Sequence, residues 1–538
     1  MSELEIISNA AGQSLAASFF KNIESFPGQL YTVPARVSAK TETSIARADA
    51  VKGARHVERT SENVRGGLDR KSHMVVGASL TVRPRINFPL LGFTKEQAKK
   101  INDQFVMYWN DWAYDLRMLQ DGEGHYDFGG LMWMAYRNLI GPDAETAGVI
   151  HYDPDRAARY HHRWATFVTV VDPDRVSDPG DVGNLRIYKG RELDEHGRMI
   201  ALHIQKRHPS EGMEMEDGVE THVRVPRENP YGRPMAWHWF MKHRGGAQRG
   251  MTSLVTTLRH STMLDKFDDA QLGAAVMNAL FAVYAKSNAG AQAVANTVAP
   301  AAGAGAASLG AAEDARLDYY GKTKMRIGEN RLVVMPHQDS IEFAAVDRAN
   351  SNPQPFVDQF LRKFSMSLGL SFEQFSNDYS KANYSSARAA LLEVWRGVMV
   401  ERRLFTRHVA TQIYSAVIEE AIAKGWIELP AGAPDFTLFR SAYCSCDWIG
   451  PGMGWVDPLK EAQAAEIMKR NKFRSHSDII SESGQAWDEV FEQISDEEAY
   501  ADILGLDLNP VATGTPAAGD DEDNDKSGRN QPAEKEDA

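Results

Sequence analysis

From about Ser386 to Lys424 the chain holds one apolar stripe. Leu391, Trp395, Val398, Phe405, Val409, Ile413 and Val417 recur at three-, four- and seven-residue intervals, with no proline among them. That spacing predicts a single amphipathic helix, roughly 58 Å long at 1.5 Å per residue, closed by the Gly425–Pro430 run because glycine is the usual C-terminal stop. A rod of that length outruns one small core. The 538 residues leave room for about two to four structural regions around it.

Other helices are legible by the same rule. Phe93–Leu116 opens with Thr94 and Glu96 and places Ile101, Phe105, Trp109 and Trp112 on one face, an amphipathic helix with an N-terminal signal. A second is expected at Asp127–Leu139. After Gly250, residues 251–285 run without proline, enough for a helix or helix pair of about 50 Å. Pro355–Leu368 is helical in period, and Leu459–Leu506 is a further helical set with Ser475, Ser477 and Ser481 as candidate caps.

Residues 164–240 change character. Thr166–Val171, Asn184–Tyr188, Met199–Lys206 and Thr221–Val225 are short β-branched or alternating stretches, separated by DPD, DPG, EHG and ENPYG, which are turn formers. They predict a small β-rich subdomain. Ser287–Ala312 is nearly all Ala, Gly, Val, Asn and Ser, so a loop is expected there, with strand signals at Met325–Ile327 and Arg331–Met335. The acidic tail 508–538 lacks the apolar residues a core needs and is expected to be disordered. The fold class is mainly α with a β-rich subdomain, an α+β chain.

Composition narrows the function. No run of about 18 apolar residues occurs, which leaves no membrane-spanning helix, and the N-terminus lacks the basic leader of a secretory signal. Cys444 and Cys446 stand one residue apart, too close for an ordinary disulfide and too few for a zinc site, so reduced thiols are expected. The net charge of −13 is opposite to that of a protein gripping duplex phosphates over a broad face. Residues 1–70 carry Arg47, Arg55, Arg59, Arg65 and Arg70 on a weak helical pattern. GKT at Gly321–Thr323 is no P-loop, since Arg316 stands where the first glycine is required. His151, His161 and His162 lie near Asp153 and Asp155 without metal-ligand spacing, and the two aspartates flank Pro154 as turn formers. No nucleophile elbow occurs. No catalytic, cofactor-binding or metal residue is assigned.

Ser376–Arg396 differs in kind. A polar loop rich in Asn, Ser and Tyr leads straight into the long helix, with Ser385 or Ser386 as the expected N-cap. Lys381 sits between Tyr379 and Tyr384 beside Asn383, groups able to touch a nucleic-acid backbone without reading sequence. The residues alone favour a structural loop packing one helix on the next.

The string Phe372–Arg396 resembles the signature of lambda-type phage portal proteins. Three further stretches resemble that family in the same order: His243–His260, with its Gln248–Arg249–Gly250; Val170–Pro179 followed by Leu193–Pro209; and Asp447 onward, with Trp455–Glu461. The likeness spans roughly residues 50–507 and is loose in the arginine-rich N-terminal part and in 287–312. It implies a portal fold with wing, stem, clip and crown, assembled as a ring, usually of twelve subunits, at one capsid vertex. On this chain the wing would be 1–250, the first stem helix 251–285, the clip 286–352 and the second stem helix 353–369. The tunnel loop would be 370–386, the long wing helix 387–426 and the crown 427–507. Lys381, Asn383 and Tyr384 would then face passing DNA.

The implied protein is not an enzyme and needs no cofactor. It would conduct DNA during packaging and ejection. Its implied partners are its own copies, the terminase large subunit, major capsid and scaffold proteins, head–tail connector proteins and double-stranded DNA, with no membrane. It would be assembled in the host cytoplasm and reside in the virion. Two alternatives stay open from sequence: an adaptor ring without a packaging role, and a metal-dependent DNA-processing enzyme.

Overall fold

The computed structural model describes residues 37–179, 186–211, 221–279, 283–287, 339–343, 354–380, 382–454 and 457–506. Its chain divides into two compact units, Met1–Pro451 and Gly452–Ala538. The predicted strands at Met325–Ile327 and Arg331–Met335, the loop 287–312 apart from Ser287, Gly321–Thr323 and the tail from residue 508 lie outside the described residues.

The first unit opens with two helices sharing one boundary residue. α1 (Ala39–Thr60) ends at Ser61, whose hydroxyl accepts from Val64 N and so starts α2 (Glu62–Val75). β1 (Thr81–Pro84) and the single turn α3 (Phe88–Leu91) lead to α4 (Lys95–Ala113). Thr94 and Gln97 satisfy each other's backbone N–H groups at its start, a capping box. α5 (Phe128–Ile140) follows, capped by Asp127.

The β region begins earlier than the sequence suggests, at β2 (Thr146–Tyr152), before the short α6 (Pro154–Arg159) and β3 (Thr166–Val171). β4 (Ile187–Tyr188), β5 (Arg191–Leu193), β6 (Met199–Gln205) and β7 (His222–Pro226) form a four-stranded sheet in that order. β8 (Ala236–Trp239) returns to pair with β2, giving a three-stranded sheet of order β3-β2-β8. Ala147, Val149, Val171, Met199, Leu202 and Ile204 form the apolar cluster shared by the two sheets.

α7 (Val255–Ala279) is shorter than the helical run expected over 251–285. The backbone switches to β9 (Val283–Ser287), which pairs antiparallel with β10 (Asp339–Phe343). Val283 and Tyr284 are β-formers, and the partner strand fifty residues away decides their state. α8 (Gln354–Leu368) and the short α9 (Phe372–Ser376) come next. Leu254, Leu258 and Leu264, of α7 and the turn before it, and Phe360, Phe364 and Leu368 of α8 share a buried cluster with Ala54, Val57, Val64 and Leu68 of the first two helices.

The long helix is two helices. α10 (Tyr384–His408) stops at Val409 (φ −118°, ψ −68°), and α11 (Ala410–Ala423) continues from it. Thr406 Oγ1 donates to Arg402 O at 2.9 Å one turn earlier, the back-bonding that bends helices, and fully buried Val409 sits at the bend. Gly425 (φ 70°) ends α11, with Trp426 N donating to Ala421 O as expected of a glycine stop. α12 (Phe436–Tyr443) and β11 (Cys446–Ile449) complete the unit, β11 pairing with β1. Ile427, Phe436, Ala442 and Tyr443 belong to the same core as Trp109, Phe128 and Ile413. Residues 427–451, expected with the crown, therefore pack within the first unit.

The second unit contains α13 (Pro458–Arg470), α14 (His476–Glu482) and α15 (Trp487–Leu504). Ser475 caps α14 with Asp478 reciprocating, whereas Ser477 and Ser481 lie inside that helix. Phe491 packs edge-on against Trp487 and His476.

Candidate DNA-facing loop and its buried supports

The loop between α9 and α10 is a chain of local turns. Asn377 takes the left-handed conformation (φ 58°) that ends α9, one that Asn tolerates better than most residues. Ser376 Oγ then accepts from Asp378 N at 3.1 Å, and Asp378 Oδ1 from Ser380 N at 3.0 Å. At the far end Asn383, and not Ser385 or Ser386, is the N-cap: its Oδ1 accepts from Ser386 N at 2.8 Å, and Ser386 Oγ accepts from Asn383 N at 3.1 Å. Asparagine caps as well as serine does, and the reciprocal bond settles the choice one turn early. Asn383 is exposed, with its carboxamide oxygen committed to the helix. Lys381 and the side chain of Tyr384 lie outside the described residues.

The loop is held from behind by the arginine-rich helices. A Cβ on Gly67 would lie 2.5 Å from the Phe375 ring, so glycine lets α2 meet α9 directly. Arg70 donates to the terminal carbonyls of α9, Gln374 O and, at 2.5 Å, Phe375 O. Lys71 donates to Leu368 O at 2.7 Å and pairs with Glu401 Oε1 at 2.8 Å, while Tyr136 Oη donates to Glu401 Oε2 at 2.6 Å. Cations at helix C-termini satisfy orphan carbonyls and oppose the helix dipole. Further along, Arg55 pairs with Asp143 and Asp174, each at 2.6 Å. Arg55, Arg70 and Lys71 thus tie the N-terminal helices to the rest of the fold.

The densest polar site was invisible in the sequence. Glu145 is fully buried and receives Arg47 at 2.7 Å, Arg249 Nε at 2.9 Å on both oxygens, and Gly250 N at 3.0 Å; His238 Nε2 lies 3.4 Å away. Arg249 also donates to Val176 O, Lys189 O and Pro173 O. A Cβ on Gly250 would sit 2.1 Å from Ala144 O, so only glycine permits the approach. Gln248 accepts from Arg191 through its backbone oxygen at 2.7 Å and through its side chain. Each member of Gln248–Arg249–Gly250 therefore has a structural task, and together they join α1, the two sheets and the turn before α7. Burial alone would raise the Glu145 pKa, but Arg249 and Arg47 hold it well below the usual carboxylate range.

His238 has its pKa pushed down to about 4 by burial, opposed by Glu145 and reinforced by Arg191 and Arg249. It stays neutral in the fold while its unfolded counterpart takes up a proton near 6.5. A depressed folded pKa makes the unfolded chain bind more protons, so stability falls as pH drops from about 6.5 toward 4. Urea midpoints across that window should decline more steeply for wild type than for His238→Gln; equal slopes would remove His238 from the acid response.

His151 and His162 go to separate partners. His151 stacks on Phe167, His162 Nδ1 contacts Trp164 O, and Asp153 caps α6. Among the described residues the one group close enough to share a metal is Asp172, Asp174 and His208. There Arg55 already holds Asp174 at 2.6 Å and lies 3.8 Å from Asp172, so a guanidinium stands where a cation would be needed. Cys444 and Cys446 are both free thiols; burial raises both pKa values, that of Cys446 to about 12, and a protonated thiol is a poor nucleophile. Among the described residues no helix is long and apolar enough to cross a membrane.

A family model described as phage portal protein, lambda family, matches residues 30–402. The chain belongs to that family of phage portal proteins, structural components of the virion and not enzymes. The portal protein of Escherichia phage N15 is 26% identical over 459 residues, 81% of this chain and 81% of its own. Portal protein B of Escherichia phage lambda is 25% identical over 450 residues, 80% of each. Among solved structures, the neck of an empty GTA particle computed with C6 symmetry shares 11% identity, covers 84% of this chain and 93% of that chain, and has a TM-score of 0.40.

Proposed function

We propose that this chain forms a ring, of about twelve copies as is usual for such rings, at one capsid vertex. There it conducts double-stranded DNA during packaging and ejection, and it docks the terminase large subunit and head–tail connector proteins. The family match over residues 30–402 carries this reading. Its proposed partners in the head are the major capsid and scaffold proteins, with assembly in the host cytoplasm.

Residues 1–250 are the proposed wing, α7 and α8 the paired stem helices, and 286–352 the clip, with β9 and β10 at its base. The tunnel loop is 370–386, the long wing helix is α10 and α11, and the second unit supplies the body of the crown. Phe267 and Phe356 pack at a 4.8 Å ring separation between the two stem helices, giving a stiff pair suited to side-by-side contacts in a ring. The net charge of −13 suits a conduit, because each phosphate held by a cation would slow the strand.

Lys381, Asn383 and Tyr384 are the proposed DNA-facing residues. Lys381→Ala is expected to leave ring assembly intact and to change packaged DNA yield or its retention in a packaging assay with terminase. Unchanged yield and retention would remove Lys381 from that role. Co-sedimentation with the terminase large subunit separates a portal from an adaptor ring, which would not bind it.

A further inference from the structure

A cavity of about 560 Å³ opens between β8, with the segment that follows it, and the α10–α11 bend. Its charged residues are Arg191, Arg227 and Lys242, with no carboxylate in its wall. Arg191 is 6% exposed; its guanidinium touches Gln248 through hydrogen bonds, and its Nε has no partner. Among the described residues no carboxylate pairs with it or with Lys242. Arg227 alone is offset, by Glu228 at 3.3 Å, while Glu145 lies behind His238 and is saturated by Arg47 and Arg249. Arg191 and Lys242 both lie over the Phe240 ring, at 5.4 and 5.9 Å. Burial lowers both their pKa values; at Arg191 it is opposed by Glu145 and reinforced by Arg249 and Arg227, and at Lys242 it is reinforced by Arg191.

The rest of the wall mixes apolar and aromatic side chains with Gln412 and the imidazoles of His238, His243 and His408. Met199 and Leu404 contribute aliphatic surface, and Trp239 stacks on His408 at 5.2 Å. A positive concavity in a chain of net charge −13 focuses field on one kind of ligand. Duplex phosphates lie on a convex cylinder and would reach only the rim, never Arg191 at its depth. A protruding carboxylate side chain fits such a concavity, and an apolar neighbour would cover Leu404, which is 39% exposed.

We propose that this cavity is a docking site for an acidic peptide segment of a protein partner, one that sets Asp or Glu beside apolar residues. The proposal does not depend on the proposed DNA channel. The probe is a short fluorescein-labelled peptide of alternating glutamate and leucine, titrated against the full chain by fluorescence polarisation. A lysine–leucine peptide and a single-stranded oligonucleotide serve as comparisons. Saturable binding of the glutamate–leucine peptide is expected, weakened about tenfold or more by Lys242→Glu, since reversing a rim charge turns attraction into repulsion. Lys52→Glu, on the exposed side of α1, should leave it unchanged, and circular dichroism of each variant checks the fold. Absence of saturable binding, binding of the oligonucleotide only, or equal affinity in Lys242→Glu would overturn the proposal. Ring formation, read by microscopy on the same samples, is a separate result.

Discussion

Glu145→Ala is expected to cost the first unit on the order of 3–5 kcal/mol, because removing one partner leaves buried guanidinium groups without a counter-charge. Arg249 is 6% exposed and Arg47 13% at the side chain, so water cannot take over the lost role. Against the marginal stability of folded domains, roughly 5–15 kcal/mol, that is a large fraction. The variant should unfold at markedly lower urea concentration or fail to accumulate as soluble protein. Adding Arg47→Met to it should recover part of the loss, since one uncompensated charge disappears. The exposed pair Arg244–Glu42, with side chains 57% and 31% accessible, provides the contrast: Glu42→Ala should change stability by less than about 1 kcal/mol. Similar losses in the two variants would show that the buried cluster does not hold the first unit together.

Trp109→Ala tests the aromatic core by a different mechanism. Trp109 is 1% exposed, with ring centroids of Phe128, Trp112, Tyr414 and Trp448 at 4.7, 5.2, 5.4 and 5.6 Å. Those rings belong to α4, α5, α11 and β11, so one side chain ties together segments more than 300 residues apart. Truncation removes transfer free energy and leaves a cavity that a wall of rigid rings cannot close, about 3–5 kcal/mol in all. The urea midpoint should fall and the near-ultraviolet circular dichroism should weaken. Leu116→Ala, at a side chain 94% exposed, should be close to neutral. A near-neutral Trp109→Ala would mean that α4 is not packed as described.

Local pattern and long-range packing explain which parts could be read from sequence. The stripe Ile101, Phe105, Trp109, Trp112 was legible because a helix buries one face at a fixed period, and all four residues are buried. Thr166–Val171 was legible as a β-branched run between turns. β2 was not, because Gly148 interrupts its apolar run; a Cβ there would lie 2.1 Å from the Trp237 ring on β8, a constraint set some ninety residues away. The bend at Val409 leaves the apolar spacing intact and so leaves no trace in it. Glu145 is one of 73 acidic residues, and nothing around it in the chain marks it; its partners come from positions 47, 238 and 249. Arg249 carried a signal only through the resemblance, which singled out Gln248–Arg249–Gly250 without giving a physical reason. At the loop, the junction of polar turn and helix was readable, while the choice of Asn383 as cap depended on the reciprocal bond from Ser386.

The central claim is that copies of this chain close into a ring around a channel. Negative-stain electron microscopy of the purified full chain, over a range of protein concentration and salt, tests it most directly. The expected result is a population of closed rings, each with a central opening, in top view. A monodisperse monomer under every condition, with no ring at any concentration, would contradict it.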